Sequence, residues 1–287
     1  MENTEKVKPE NPQSDYYDSG IRLDKNIKEF SIDDLPDSFF GMIVAPRRSG
    51  KSEKMASLLE RIKKNKSRKF DYIFLFSQSN AGYEDQIPQT YRFRNLEHLP
   101  YIVNKQAEVR AYNKKQEDPK KRVKSRILIL LDDMIGESKG SDSLRNSGMI
   151  RKLSVNGRHL GNDGVEGNGV SVFIITQAVK EIPKTIRMNT DLVLSGRITS
   201  RIERQTIIEE FTTLQSDREG MKRAYNLFDN ITLSNPYRFI VVQNHIANKT
   251  RESDFIFYYD GEYPVKQTHQ FGDRYDWEAE EKRVDIF

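Results

Sequence analysis

The run Ala45, Pro46, Arg47, Arg48, Ser49, Gly50, Lys51, Ser52 carries the residue types that bind a nucleotide polyphosphate. Small residues let successive backbone N–H groups turn inward around a β-phosphate, and a helix starting behind them adds its dipole. Lys51 can reach the β- and γ-phosphates of ATP as a point charge, and Ser52 can give an oxygen to Mg²⁺. The spacing is that of a P-loop with Ala45 in place of the opening glycine, an exchange that works if residue 45 keeps a negative φ. Further along, Ile127–Leu131 is an apolar run ending in Asp132 and Asp133. A carboxylate at the end of a buried strand fits the Walker B role of holding the Mg²⁺ hydration shell, which falls to Asp132. The adjacent Asp133 could polarise the attacking water as general base. Gln177 directly follows another apolar run. A neutral amide there can donate to phosphate and accept from water, the role of a sensor. Arg158, in Asn156-Gly-Arg-His-Leu160, and Arg187, in Ile182-Pro-Lys-Thr-Ile-Arg187, are candidates for an arginine finger that crosses from a neighbouring subunit to the γ-phosphate.

These groups need a scaffold that brings distant segments to one edge. Short apolar runs at Phe39–Val44, Tyr72–Phe76, Arg126–Leu131, Val170–Thr176 and Asp191–Leu194 read as strands buried on both faces. The longer intervals leave room for crossover helices, which predicts a mainly parallel sheet with helices on both sides. Met55, Leu58, Leu59 and Ile62 line one face of a helix behind the P-loop. Ser216–Glu219 resembles a capping box, with Met221, Ala224, Tyr225 and Phe228 at helical spacing behind it. Tyr237–Gln243 and Asp254–Tyr259 read as a late strand pair. Asn162–Asn168 reads as a flexible turn, and the charged stretch Lys105–Lys124 as a partly disordered insert. Residues 1–20 read as a disordered acidic tail, 21–265 as a single domain, and 266–287 as an aromatic and acidic tail.

Composition narrows the classes. The chain has 287 residues, with 47 Lys and Arg against 43 Asp and Glu, a net of +4. That balance excludes a histone-like polycation and an acidic disordered activator, but not a local basic patch. Residues 41–200 hold 30 basic and 17 acidic side chains, so the segment carrying every motif is basic and both ends are acidic. There are no cysteines, which excludes a disulfide scaffold, a zinc–cysteine site and a thiol nucleophile. His98, His159, His245 and His269 show no metal-ligand spacing. No membrane span and no signal peptide are evident, which predicts an intracellular protein that is not secreted.

Taken in order, the P-loop, the strand ending in Asp-Asp, the N-G-R-H-L segment, and a strand ending in T-Q followed by I-P-x-x-I-R-x-N form a series over Phe39–Leu194. That series resembles the A32-like genome-packaging ATPases of large DNA viruses, a branch of the FtsK–HerA superfamily. The resemblance implies an additional-strand, RecA-like P-loop NTPase that forms a homo-oligomeric ring of five or six subunits. Such a ring pumps double-stranded DNA into a preformed capsid, with a capsid or portal-vertex protein as partner, in the host cytoplasm, the virus factory or the virion. It assigns Lys51 and Ser52 to phosphate and Mg²⁺, Asp132 to the metal, Asp133 to the base, Gln177 to the sensor and Arg158 to the trans finger. Arg48, inside the loop, resembles the cis-acting finger of large terminases and rivals it. No nuclease carboxylate set is evident after Ser200, so cleavage is not expected. Two basic runs, Arg61–Lys69 and Lys120–Arg126, are candidate DNA phosphate contacts. The alternative from another class is a nucleotide-switched assembly or scaffold ATPase that does not act on DNA.

Overall fold

The computed structural model describes residues 26–67, 69–79, 81–123, 125–134, 147–160, 169–212, 218–235, 237–246 and 251–261. Among them, eight strands join in one sheet: β1 (Phe40–Val44), β2 (Tyr72–Ser77), β3 (Arg92–Phe93), β4 (Arg126–Asp132), β5 (Gly169–Thr176), β6 (Leu192–Ser195), β7 (Phe239–Gln243) and β8 (Ile256–Tyr259). The order is β3-β2-β4-β5-β1-β6-β7-β8. The first six run parallel. The last two add to β6 as an antiparallel pair. Every residue of β1, β2, β4, β5, β6 and β7 is buried, as strands covered on both faces require. The fold is therefore α/β, with a mostly parallel sheet flanked by helices, as the alternation of apolar runs predicts.

The helices are α1 (Lys51–Lys64), α2 (Leu99–Lys114), α3 (Gly148–Leu160), α4 (Lys184–Arg187), α5 (Arg201–Phe211) and α6 (Arg218–Ser234). Met55, Leu58, Leu59 and Ile62 of α1 are fully buried, so the helix behind the P-loop is bolted to the sheet along one stripe. The proposed capping box at Ser216, the turn Asn162–Asn168, both tails, His269 and the side chain of Arg158 lie outside the described residues.

Three expectations are corrected. The stretch read as a partly disordered insert is ordered over its described residues, 105–123: its first half belongs to α2, and Pro119–Lys121 form a 3-10 turn. Two buried amides fix it. Gln106 Nε2 donates to Ser125 O at 2.7 Å, and Asn113 brackets Val123, donating to its carbonyl and accepting from its N–H at 2.8 Å each. Tyr237 and Arg238 are not in a strand, because Asn235 turns the chain there. Its side chain accepts from Tyr237 N at 3.2 Å and its carbonyl from Arg238 N at 3.0 Å. Asp254 likewise closes a 3-10 turn by accepting from Arg251 N.

Candidate functional site

The parallel strands end at one edge, and the site is assembled from the turns that follow them. After β1, the loop enters α1 through Gly50 at φ 84°. Arg48 also takes a positive φ, 62°, so two nearly adjacent residues are left-handed, the kind of backbone turn from which anion-binding concavities are built. Ala45 is not among the positive-φ residues, which meets the condition set by its replacement of glycine. Its methyl group is accommodated by Gly196, after β6, where an added Cβ would lie 2.8 Å from that of Ala45. The need for a glycine has moved from the loop to its neighbour.

Lys51 folds back over the loop, its Nζ donating to Ala45 O at 2.7 Å and Pro46 O at 3.1 Å. A phosphate entering the loop can replace those carbonyls as acceptor. Partial burial lowers the Lys51 pKa, and the carboxylates of Asp133 and Asp132 hold it up. Ser49 Oγ donates to Pro46 O at 2.5 Å and tightens the turn.

Asp132 ends β4 and is buried. Burial pushes its pKa up to about 6, against the pull of a hydrogen bond from Tyr83. Tyr83 Oη donates to Asp132 Oδ2 at 2.8 Å, and the ring is fully buried. Sequence reasoning missed Tyr83, because a lone tyrosine in a polar stretch carries no motif. Asp133 takes φ 48°, in the left-handed region that Asp enters more readily than most non-glycine residues, and its N–H is held by Ile175 O at 3.0 Å. Gln177 Nε2 donates to Asp133 Oδ2 at 3.2 Å, so the sensor and base candidates already touch. The turn after Gln177 is fixed by Glu203 of α5, whose Oε2 accepts from Val179 N and Lys180 N at 2.6 and 3.2 Å.

Arg47, Arg48, Gly50, Lys51, Ser52, Asp132, Asp133 and Gln177 line one cavity of about 630 Å³, together with Tyr237. One carboxylate, one hydroxyl and room for waters and phosphate oxygens fit Mg²⁺, which keeps several waters and seldom sits in an all-protein cage. Accordingly, the described residues contain no cluster of three or more His, Asp or Glu that would hold a metal by itself. Arg187 lies elsewhere. Its Nε and Nη2 donate to Glu210 at 2.6 and 2.7 Å and its Nη1 to Ile182 O at 2.5 Å. In this chain the Arg187 guanidinium is engaged by its own neighbours, which argues against a reach across a subunit boundary.

The basic runs are brought together by the sheet. Arg61–Lys69 spans the last turn of α1 and the link to β2, while Lys120–Arg126 leads into the first residue of β4, and β2 pairs with β4. Arg126 Nη1 donates to Ser67 O at 3.0 Å across the two. Both therefore lie at the end of the strands opposite the P-loop. Lys64, Lys66, Lys69, Lys120 and Lys121 are exposed there. Arg126 instead is buried beneath the others against Phe70, and Arg61 pairs with Glu29 at 2.9 Å. Arg68 and Lys124 lie outside the described residues.

No protein-family model matches the chain, and no curated protein is similar to it in sequence. Among solved structures, the genome packaging NTPase from Sulfolobus turreted icosahedral virus 2 in complex with sulfate aligns with a TM-score of 0.51 at 14% identity, over 80% of this chain and 100% of that one. The same protein in complex with ATP-gammaS gives 0.50 at 14%, over 79% and 99%. The fold is that of a P-loop ATPase. Within it, β5 separates the P-loop strand β1 from the Asp132 strand β4, which is the additional strand that the family resemblance implies. A further similar chain is the cytoplasmic domain of the Thermomonospora curvata type VII secretion ATPase EccC, at TM-score 0.48 and 12% identity over 83% of this chain and 27% of its own. No helix among the described residues is long and apolar enough to cross a membrane.

Proposed function

We propose that the chain is an ATPase that hydrolyses ATP with Mg²⁺ and uses the cycle to translocate double-stranded DNA, in the packaging of a viral genome into a preformed capsid. The observation that carries the ATPase reading is the convergence of Lys51, Ser52, Asp132, Asp133 and Gln177 on one cavity at the carboxyl edge of the sheet. In this reading the loop N–H groups and Lys51 bind the polyphosphate, while Ser52 and Asp132 hold the hydrated Mg²⁺. The metal neutralises charge on the β- and γ-phosphates when bound. Asp133 accepts the proton of a water placed in line with the γ-phosphate, and Gln177 orients that water and reports whether the γ-phosphate is present. Arg48, which lines the cavity, is the cis candidate for stabilising transition-state charge; Arg158, on α3, is the trans candidate.

The DNA part rests on two supports. The exposed lysines opposite the P-loop make a sequence-independent phosphate surface, suited to a motor that moves along any sequence. The fold is also shared with a solved viral genome packaging NTPase. A homo-oligomeric ring, a capsid or portal-vertex partner, and action in the host cytoplasm or virus factory complete the proposal. Turnover measured with and without double-stranded DNA at low salt tests it. Stimulation that fades as salt rises is the expected result. Unchanged turnover without DNA binding would leave the scaffold ATPase as the better account.

A further inference from the structure

We infer that Tyr237 is the platform on which the nucleobase stacks, so that the α6–β7 turn reads the base while the P-loop reads the phosphates. This rests on the assignment of the cavity to a nucleoside triphosphate.

The lining residues, taken in strand order, give the cavity a direction. Ser79 and Ala81 follow β2, Asp132 and Asp133 end β4, Gln177 follows β5, the P-loop follows β1, and Tyr237 precedes β7. Since the sheet runs β2-β4-β5-β1-β6-β7, Ser79 and Ala81 mark one end, the carboxylates and Gln177 come next on that side of the P-loop, and Tyr237 marks the other end. The γ-phosphate belongs with the base and the sensor, so the nucleoside must extend past Gly50 toward β7.

Among the described residues, Tyr237 is the one aromatic side chain lining the cavity. It is 55% exposed although its neighbours Phe239 and Ile240 are buried, so its ring is held out of the core at the cavity wall. Its Cδ1 would lie 3.2 Å from a Cβ built on Gly50, which places the ring over the loop–helix junction. The backbone under it is braced. Arg238 forks onto Asp260 at 2.7 and 2.6 Å, and Lys54 of α1 donates to the Asp260 carbonyl. Tyr237 is thereby tied to the same helix that carries Lys51. An aromatic face stacks on any base, so this subsite adds affinity for a nucleoside without choosing strongly among bases.

The test separates base from phosphate by binding two ligands in the presence of Mg²⁺: ATP, and inorganic tripolyphosphate, which has no base. Tyr237→Ala should weaken ATP roughly tenfold or more, as loss of a stacking partner does, and leave tripolyphosphate affinity unchanged. Tyr237→Phe should keep both. An equal loss of both ligands, or undiminished ATP binding by Tyr237→Ala, would overturn the inference. If neither ligand bound the unmodified protein, the phosphate site itself would be refuted, and the stacking platform with it.

Discussion

At the scale of single residues, the site holds groups in states the fold does not favour. Asp132 is a buried carboxylate with its pKa raised to about 6. A group whose folded pKa is raised stabilises the fold fully below its unfolded value, and that stability is lost as pH rises through the folded value. Asp132 therefore costs stability increasingly between about pH 4 and pH 6, and the cost persists above. Asp132→Asn, which leaves Tyr83 an acceptor, should melt at a higher temperature than the unmodified protein at pH 8. The gap should close toward pH 4, and ATP hydrolysis should be lost. A variant less stable at pH 8 would contradict the burial argument. Metal-dependent nucleotide binding should weaken in the opposite sense, falling as pH drops below about 6. Arg48 at φ 62° is a second such case. Arg48→Gly should raise stability by about 1 kcal/mol in denaturant melts, because glycine enters that region freely. A destabilised variant would show that the side chain holds the loop.

At the scale of elements, the supports lie where motifs do not. Arg187 ties α4 to α5 through Glu210, and losing these charge-assisted hydrogen bonds at a partly exposed pair should cost about 1–2 kcal/mol. Arg187→Ala should therefore lower the melting temperature, whereas Arg187→Met with Glu210→Leu should recover most of it. Loss of turnover at unchanged stability would return Arg187 to the finger candidates. Asn113→Ala should cost about 1 kcal/mol, because two side-chain hydrogen bonds to the half-buried Val123 backbone are removed. Five of the six parallel strands were legible in the sequence because each is a continuous apolar run buried on both faces; β3, two half-buried residues one of which is an arginine, was not. The P-loop helix was legible from its stripe. Helix α2 was not, because charge covers its outer face and amides, rather than a full apolar stripe, secure its inner one. In the site, Lys51, Asp132, Asp133 and Gln177 announce themselves by motif. Tyr83, Glu203 and Tyr237 act through contacts between segments far apart in the chain, which spacing along a sequence does not encode.

At the scale of the whole molecule, one sheet keeps two chemistries apart. Its carboxyl edge carries the nucleotide cavity, and the opposite end gathers exposed lysines from two distant runs. Helix α1 spans the interval, with Lys51 at its start and Lys64 at its end, roughly 20 Å for its 14 residues. A change at the phosphates thus has a rigid element through which to reach the basic end. Reversing charge at Lys64, Lys66, Lys120 and Lys121 together should abolish DNA stimulation and leave basal turnover intact. Retained stimulation would place the DNA elsewhere. For the trans finger, doping Arg158→Ala subunits into unmodified protein should depress activity more than in proportion. All of this depends on the cavity being an engine of hydrolysis. The most direct test is single-turnover hydrolysis of bound ATP by Asp133→Asn beside the unmodified protein. The account predicts that the variant binds ATP with unchanged affinity and hydrolyses it at least about 10²-fold more slowly. Hydrolysis at the unmodified rate would contradict it.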